Sequence, residues 1–172
     1  MAREIRLTSR PVGKLSSDNV ESVIVPEREP VPGEAQVRNL WMSVDPYMHG
    51  RIIDRASHWP LDATSKATLY GWRPQYRLRE VLDGGAIGEV VVSNDAWLKT
   101  DDLVWSNDGW NGRFNAALSH LQKIEPRYLP PQAFLYVIRM PGPTAWLGLI
   151  EIAALKIWAE FPRAATAWHL NS

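Results

Sequence analysis

Between residues 1 and 125 the apolar runs are short, and each is cut off by proline, glycine or an Asn-Asp pair. That punctuation leaves room for strands and little else. Val20 to Val25 (VESVIV) is followed by PEREPVPGE and then by Gln36 to Val44 (QVRNLWMSV). Three prolines and a closing Gly33 exclude a helix from the connector and predict a hairpin-like crossing between strands. Asp83-Gly84-Gly85 is a strong turn signal, and it introduces the β-branched run Ala86 to Ser93 (AIGEVVVS). Leu103-Val104-Trp105 and Ala116-Ala117-Leu118 complete the set. Short strands with turns this frequent predict a mainly β domain, a barrel or sandwich, and argue against a parallel α/β sheet.

Two stretches depart from this texture. Residues 61 to 73 (LDATSKATLYGWR) are polar and weakly patterned, which fits a surface loop; a lid over a site is the functional alternative. After Pro130-Pro131 the pattern turns helical, with a short helix at Gln132 to Ile138 and a longer one at Thr144 to Lys156. Pro141 and Pro143 precede the second helix, where a missing N–H does least harm. That helix is apolar all round, so it is expected to be buried on nearly all sides. A barrel covers one face only, and the helix therefore asks for a second layer.

Composition narrows the function classes. Nineteen basic and nineteen acidic residues cancel, and no basic stretch supports a nucleic-acid or anionic-membrane partner. With no cysteine, disulfides, thiolate catalysis and Cys-rich zinc sites are excluded, and a reducing cytoplasm suits the chain. The longest apolar stretch, around Ala145 to Ala159, is broken by Glu151 and Lys156 and falls short of the ~20 residues of a membrane span. His49, His58, His120 and His169 share no metal-ligand spacing. Asp45 and His49 would share a helix face, but Pro46 and Gly50 favour a turn there. Gly84-Gly85-Ala86-Ile87-Gly88 fails as a phosphate loop, because it enters a strand and lacks the first glycine of G-x-G-x-x-G. No nucleophile elbow occurs. Nine tryptophans fit ordinary packing, or a few of them line an apolar cleft.

Four ordered motifs then carry a resemblance: LTSRPVG at 7–13, VDPYMHGR at 44–51, GGAIGEVV at 84–91 and MPGPTAWLGL at 140–149. Together they resemble the zinc-independent medium-chain dehydrogenase/reductases of the prostaglandin reductase, leukotriene B4 dehydrogenase and alkenal double-bond reductase type. The resemblance implies a GroES-like, partly open β-barrel with C-terminal helices, normally followed by a Rossmann domain. It further implies NADPH-dependent, zinc-free reduction of the C=C bond of α,β-unsaturated ketones or aldehydes, or of quinone-type substrates. Tyr47 matches a pocket-lining tyrosine, and Asp45 holds its turn. Met140, Gly142 and Thr144 match positions that meet the nicotinamide end of NADP(H). No catalytic residue is assigned.

Departures from the family pattern matter too. His49 stands where arginine is usual, which weakens an anion-binding role there while Arg51 remains. Trp146 stands where tyrosine is usual. The resemblance fades after Lys156, so the expected organisation is a barrel catalytic domain at 1–128, a helical hinge segment at 129–156 and a non-family tail at 157–172, with the Rossmann domain absent. A chain so organised is expected to be a truncated catalytic half, cytoplasmic, binding NADP(H) weakly and inactive alone. The alternative is a free-standing module that binds a hydrophobic small molecule or a protein without catalysis. A third reading is a homo-oligomer paired through the apolar hinge helix.

Overall fold

The computed structural model describes residues 1–53 and 74–155, and the chain divides into two compact units, Met1–Leu135 and Tyr136–Ser172. The loop read at 61–73, the tail at 157–172, His58 and His169 lie outside the described residues.

In the first unit, strands β1 (Ala2–Leu7) and β2 (Val20–Val25) pair antiparallel as a two-stranded sheet. Strands β3 (Glu34–Met42), β4 (Ala86–Ser93), β5 (Leu103–Ser106), β6 (Arg113–Ala117) and β7 (Gln122–Lys123) form a second antiparallel sheet in the order β6-β3-β4-β5-β7. Helix α1 (Pro46–Ile52) follows β3. The two sheets are joined through β1: Ile5 N–H donates to Trp110 O at 2.9 Å, Gly112 N–H to Arg3 O at 2.7 Å and Leu82 N–H to Ile5 O at 3.0 Å. Open sheets stitched in this way make the partly open barrel that the resemblance implies.

Strands β2 and β4 fall where the β-branched runs predict them. The proline-rich connector does not make a hairpin, however. Among the described residues β2 pairs only with β1 and β3 only with β4 and β6, so the connector carries the chain from one sheet to the other. It closes with Val31 O accepting from Glu34 N–H at 2.9 Å around Gly33 at φ +85°, a backbone conformation that glycine adopts without a steric cost. Strand β1 has no sequence counterpart among the predicted strands. Its backbone reaches three neighbouring segments, and that tertiary pairing stands in for a weak local pattern.

The interior of the main sheet holds Ala35, Val37, Val90, Leu98, Val104, Ala116 and Leu121, all buried. A second cluster gathers Leu7, Met48, Ile52, Tyr76 and Leu82 beneath α1. Register slips at Gln36/Val37 and Asn39/Trp41 bulge the β3–β4 pair and bend it. Gly88 lies within this pair at a point of close approach. A Cβ there would overlap Val37 Cγ1 and come within 2.9 Å of Arg38 O.

The second unit is described from Tyr136 to Leu155. Helix α2 (Pro141–Trp146) continues into a π-helical turn at Leu147–Ile152. The predicted start at Thr144 is corrected to Pro141, since prolines in a first turn remove N–H groups that have no intrahelical acceptor. The end comes before Lys156, where Ala154 takes a left-handed φ of +49° and Leu155 N–H closes on Leu149 O at 2.9 Å. The predicted helix at Gln132 to Ile138 is a single 3-10 turn at Pro131–Phe134. Neither α2 nor the π-helical turn contains a buried residue, contrary to the expectation of burial on nearly all sides. Among the described residues of the second unit, nothing covers this helix.

Replacing Gly88 by Ala should lower the unfolding free energy by about 1–3 kcal/mol, the usual cost of overpacking. Denaturant midpoints of the two proteins check this; equal midpoints would mean that β3 and β4 part without cost.

Candidate functional site

Helix α1 stands at one end of the barrel and is fixed from both sides. Asp45 caps its entrance in an extended conformation, with Pro46 at the first helical position. The sequence preference for a turn at 46–50 is thus corrected to a helix: Pro46 occupies the one turn that tolerates it, and Gly50 is buried inside. The Ser43 hydroxyl donates to Asp45 Oδ2 at 2.7 Å, and Ser43 N–H donates to Gly85 O at 2.8 Å. The N-terminal end of α1 is therefore tied to the Gly84-Gly85 turn.

Arg51 ties the other end. Only 5% of its surface is exposed. Its guanidinium forks onto Asp83, through Nη1 to Oδ1 and through Nη2 to Oδ2 at 2.8 Å, and Nε donates to Pro74 O at 2.8 Å. The Tyr76 ring lies 3.8 Å from Arg51 Cζ, and the Tyr76 hydroxyl donates to Asp83 O at 2.7 Å. Burial by itself would depress the Arg51 pKa, but the Asp83 hydrogen bond, with the potentials of Tyr76, Asp83 and Tyr47, holds it above the ordinary value. Burial, reinforced by Asp83, pushes the Tyr76 phenol upward. Arg10 completes the frame: it donates to Ile52 O at 2.9 Å and Tyr76 O at 2.7 Å, closing the end of α1 onto the returning chain.

The Gly84-Gly85 turn is consumed by backbone pairing. Gly84 N–H donates to Asn107 O at 2.8 Å and Gly84 O accepts from Gly109 N–H at 2.9 Å. A side chain at Gly84 would strike Met48 Cε at 2.5 Å, and one at Gly109 would meet Gly84 O at 2.8 Å. The sequence excluded a phosphate loop here on spacing, and the geometry agrees: the Gly84 N–H already has an acceptor in Asn107 O, and the chain runs straight into β4.

Tyr47 is half-buried and packs with Ile5, Val20 and Trp110 against the cluster of Leu7, Met48, Ile52, Tyr76 and Leu82. The structure brings Tyr47 and Asp45 together on α1. Met140, Gly142 and Thr144 belong to the second unit. There the Thr144 hydroxyl donates to Met140 O at 2.6 Å, and Met140 is 70% exposed. A Cβ on Gly142 would overlap the Val137 carbonyl, so the turn itself requires that glycine.

Sequence reasoning missed Ser43, Asp83, Tyr76, Arg10 and Asp108 as parts of this corner. Asp83 was visible only as a turn residue, and its ion pair spans 32 positions that no local pattern connects. Asp108 faces Gly84 across a bridge and is half-buried. Burial raises its carboxyl pKa, the exposed His120 imidazole opposes that, and Asp83 adds to it. The Trp110 indole N–H is buried with no hydrogen-bond partner among the described residues. Also among the described residues, no three His, Asp or Glu side chains converge to hold a metal, and no helix is long and apolar enough to cross a membrane.

Comparison with known proteins places this corner in a family. Residues 3–124 match the family described as the N-terminal domain of oxidoreductase. The chain is 35% identical over 154 residues to the putative NADP-dependent oxidoreductase YfmJ of Bacillus subtilis (strain 168), covering 90% of this chain and 41% of that protein. It is 31% identical over 152 residues to the NADPH-dependent curcumin reductase of Escherichia coli (strain K12), covering 87% and 39%. The crystal structure of CurA from Vibrio vulnificus superposes with a TM-score of 0.67 at 30% identity, covering 88% of this chain and 40% of that one. The chain thus spans about two-fifths of the length of the curated relatives it matches.

Two outcomes are expected. Asp83→Ala leaves a buried guanidinium unpaired and should cost roughly 2–3 kcal/mol, less than a fully buried pair because Asp83 keeps part of its surface in water. Chemical denaturation checks this. Asp108 binds its proton more tightly folded than unfolded, so ionisation opposes folding: the stability it contributes is present below the unfolded pKa and is lost as pH rises through the raised folded one. Asp108→Asn should therefore raise the melting temperature at pH 7 and leave it unchanged near pH 3; a gain of equal size at both would refute the linkage.

Proposed function

The chain belongs to the family of N-terminal domains of oxidoreductases, and on that ground we propose that it forms the substrate-binding half of an NADP-dependent reductase of the medium-chain type, one that saturates the C=C bond of α,β-unsaturated ketones or aldehydes. One observation carries the reading: α1 presents a half-buried Tyr47 beside an apolar cluster, while the polar groups around it are tied down by Asp83, Ser43 and Arg10. Apolar walls with a few fixed polar groups suit a flat, conjugated ligand.

In this reading Tyr47 supplies an aromatic wall for the substrate. Asp45, held by Ser43, fixes the helix entrance on which Tyr47 stands. Ser43 and Arg51 act through position alone, since a misplaced pocket residue loses rate even when it touches no reacting atom. When bound, NADPH supplies the hydride to the alkene. The 140–144 stretch suits only the ring end of that cofactor. Met140 offers an exposed thioether, Pro141 and Pro143 bring no N–H, and the Thr144 hydroxyl proton is committed to Met140 O. Phosphates find no cradle in the described glycine turns, so tight binding of NADPH by these 172 residues is not part of the proposal. The compartment implied is a reducing cytoplasm.

A second reading, a module that binds an apolar molecule or protein without catalysis, is favoured by the exposed Met140, Trp146, Leu147, Leu149 and Ile152. The test separates the two. Titration of the chain with benzylideneacetone, followed by tryptophan quenching, should saturate, and Tyr47→Ala should weaken binding by about fivefold or more, ~1 kcal/mol. NADPH, followed by nicotinamide fluorescence, should not saturate below millimolar. Enone binding indifferent to Tyr47 would remove the substrate site from α1 and leave the second reading.

A further inference from the structure

The charges around α1 carry a consequence for which enones this site accepts, an inference that rests on the reading of Tyr47 as a substrate wall. Binding a carboxylate or phosphate needs a cation with donors to spare. Among the described residues, both guanidiniums at this corner are occupied: Arg51 by Asp83 and Pro74 O, and Arg10 by the carbonyls of Arg51, Ile52 and Tyr76. Three carboxylates surround the same Gly84-Gly85 turn. Asp83 is neutralised by Arg51, and Asp45 receives the Ser43 hydroxyl. Asp108 has neither an ion pair nor a hydrogen bond to its carboxylate among the described residues; its backbone is held by Ser106 and Asn39 instead. The imidazoles nearby, His49 on α1 and His120 facing Asp108, are both exposed and therefore screened by water.

We infer that the site selects uncharged enones, and that Asp108 is the specificity residue that turns anionic ones away. Among the described residues, a negative substrate group at this corner would meet a carboxylate with no ion pair and no available cation. Uncharged conjugated ketones and aldehydes meet only the Tyr47 wall. The residue suits a clean test, because Asp108→Asn keeps its shape and breaks no side-chain bond among the described residues.

Benzylideneacetone and its 4-carboxy derivative share one enone skeleton and differ in a single charge. Tryptophan quenching of the 172-residue chain at pH 7.5 and low salt should show the carboxylate binding at least about tenfold more weakly than the neutral ketone. Asp108→Asn should reduce the difference to about threefold or less without altering affinity for the neutral ketone, and 0.5 M salt should narrow it in the unmutated chain. Equal binding of the two by the unmutated chain would overturn the inference. So would discrimination that survives Asp108→Asn, which would assign the exclusion to shape. If neither compound binds, the substrate reading of α1 fails first and this inference fails with it.

Discussion

A guanidinium does not lose its proton in a protein, so burying one obliges the fold to build its partners. Arg51 is 5% exposed, and the geometry of the α1 corner follows from meeting that demand. Asp83 must stand at the head of the Gly84-Gly85 turn to receive the fork. Pro74 must turn its carbonyl inward to receive Nε, and Tyr76 must lie flat against the plane of the group. Each requirement fixes a different stretch of chain. The residues before β4 and those returning at 74–76 are thereby bound to one helix of seven residues, which local propensity would not hold together.

The consequence for the site is economy of free polar groups. Arg51 and Arg10 bind the scaffold, Ser43 binds Asp45, and the Gly84 N–H binds Asn107 O. Among the described residues, a corner whose guanidiniums are committed to the scaffold offers a ligand no free cation. What it still offers a ligand is surface: Tyr47, the apolar cluster beneath it, and the potential of Asp108. In the proposed reading, shape and the lack of free cations among the described residues decide what enters, and this links the ion pair to substrate choice.

How much of this was legible in the sequence depends on range. β2 and β4 appear at their exact bounds because β-branched runs ending in turn residues are local signals. β1 was not legible, because AREIRL has no apolar run and its order comes from pairing with β2 along its length and from bonds of Ile5 and Arg3 to residues more than a hundred positions away. The helix at α1 was misread from Pro46 and Gly50, since a first-turn proline and a buried glycine look like turn residues until the packing around them is known. The ion pair of Arg51 with Asp83 and the proximity of Asp108 to Gly84 are long-range facts, and no periodicity encodes them. The apolar hinge helix was legible as apolar but not as exposed, because burial depends on what lies beside a helix rather than on its own sequence.

The motifs that carry the family resemblance divide once their contacts are known. Gly88 admits the approach of β3 and β4, Gly84 leaves room for Met48, Gly142 lets the Val137 carbonyl pass, Asp45 receives Ser43, and Arg51 holds Asp83. All five have sufficient reasons in packing and hydrogen bonding, and a chain could retain them without performing any reaction. Met140 is different: it is largely exposed, and no packing demand among the described residues of its own unit accounts for a long thioether there. Tyr47 is intermediate, with one face in the core cluster and part of its surface outside it. The resemblance therefore speaks with most force about the scaffold. Its claim on chemistry rests on Tyr47 and Met140.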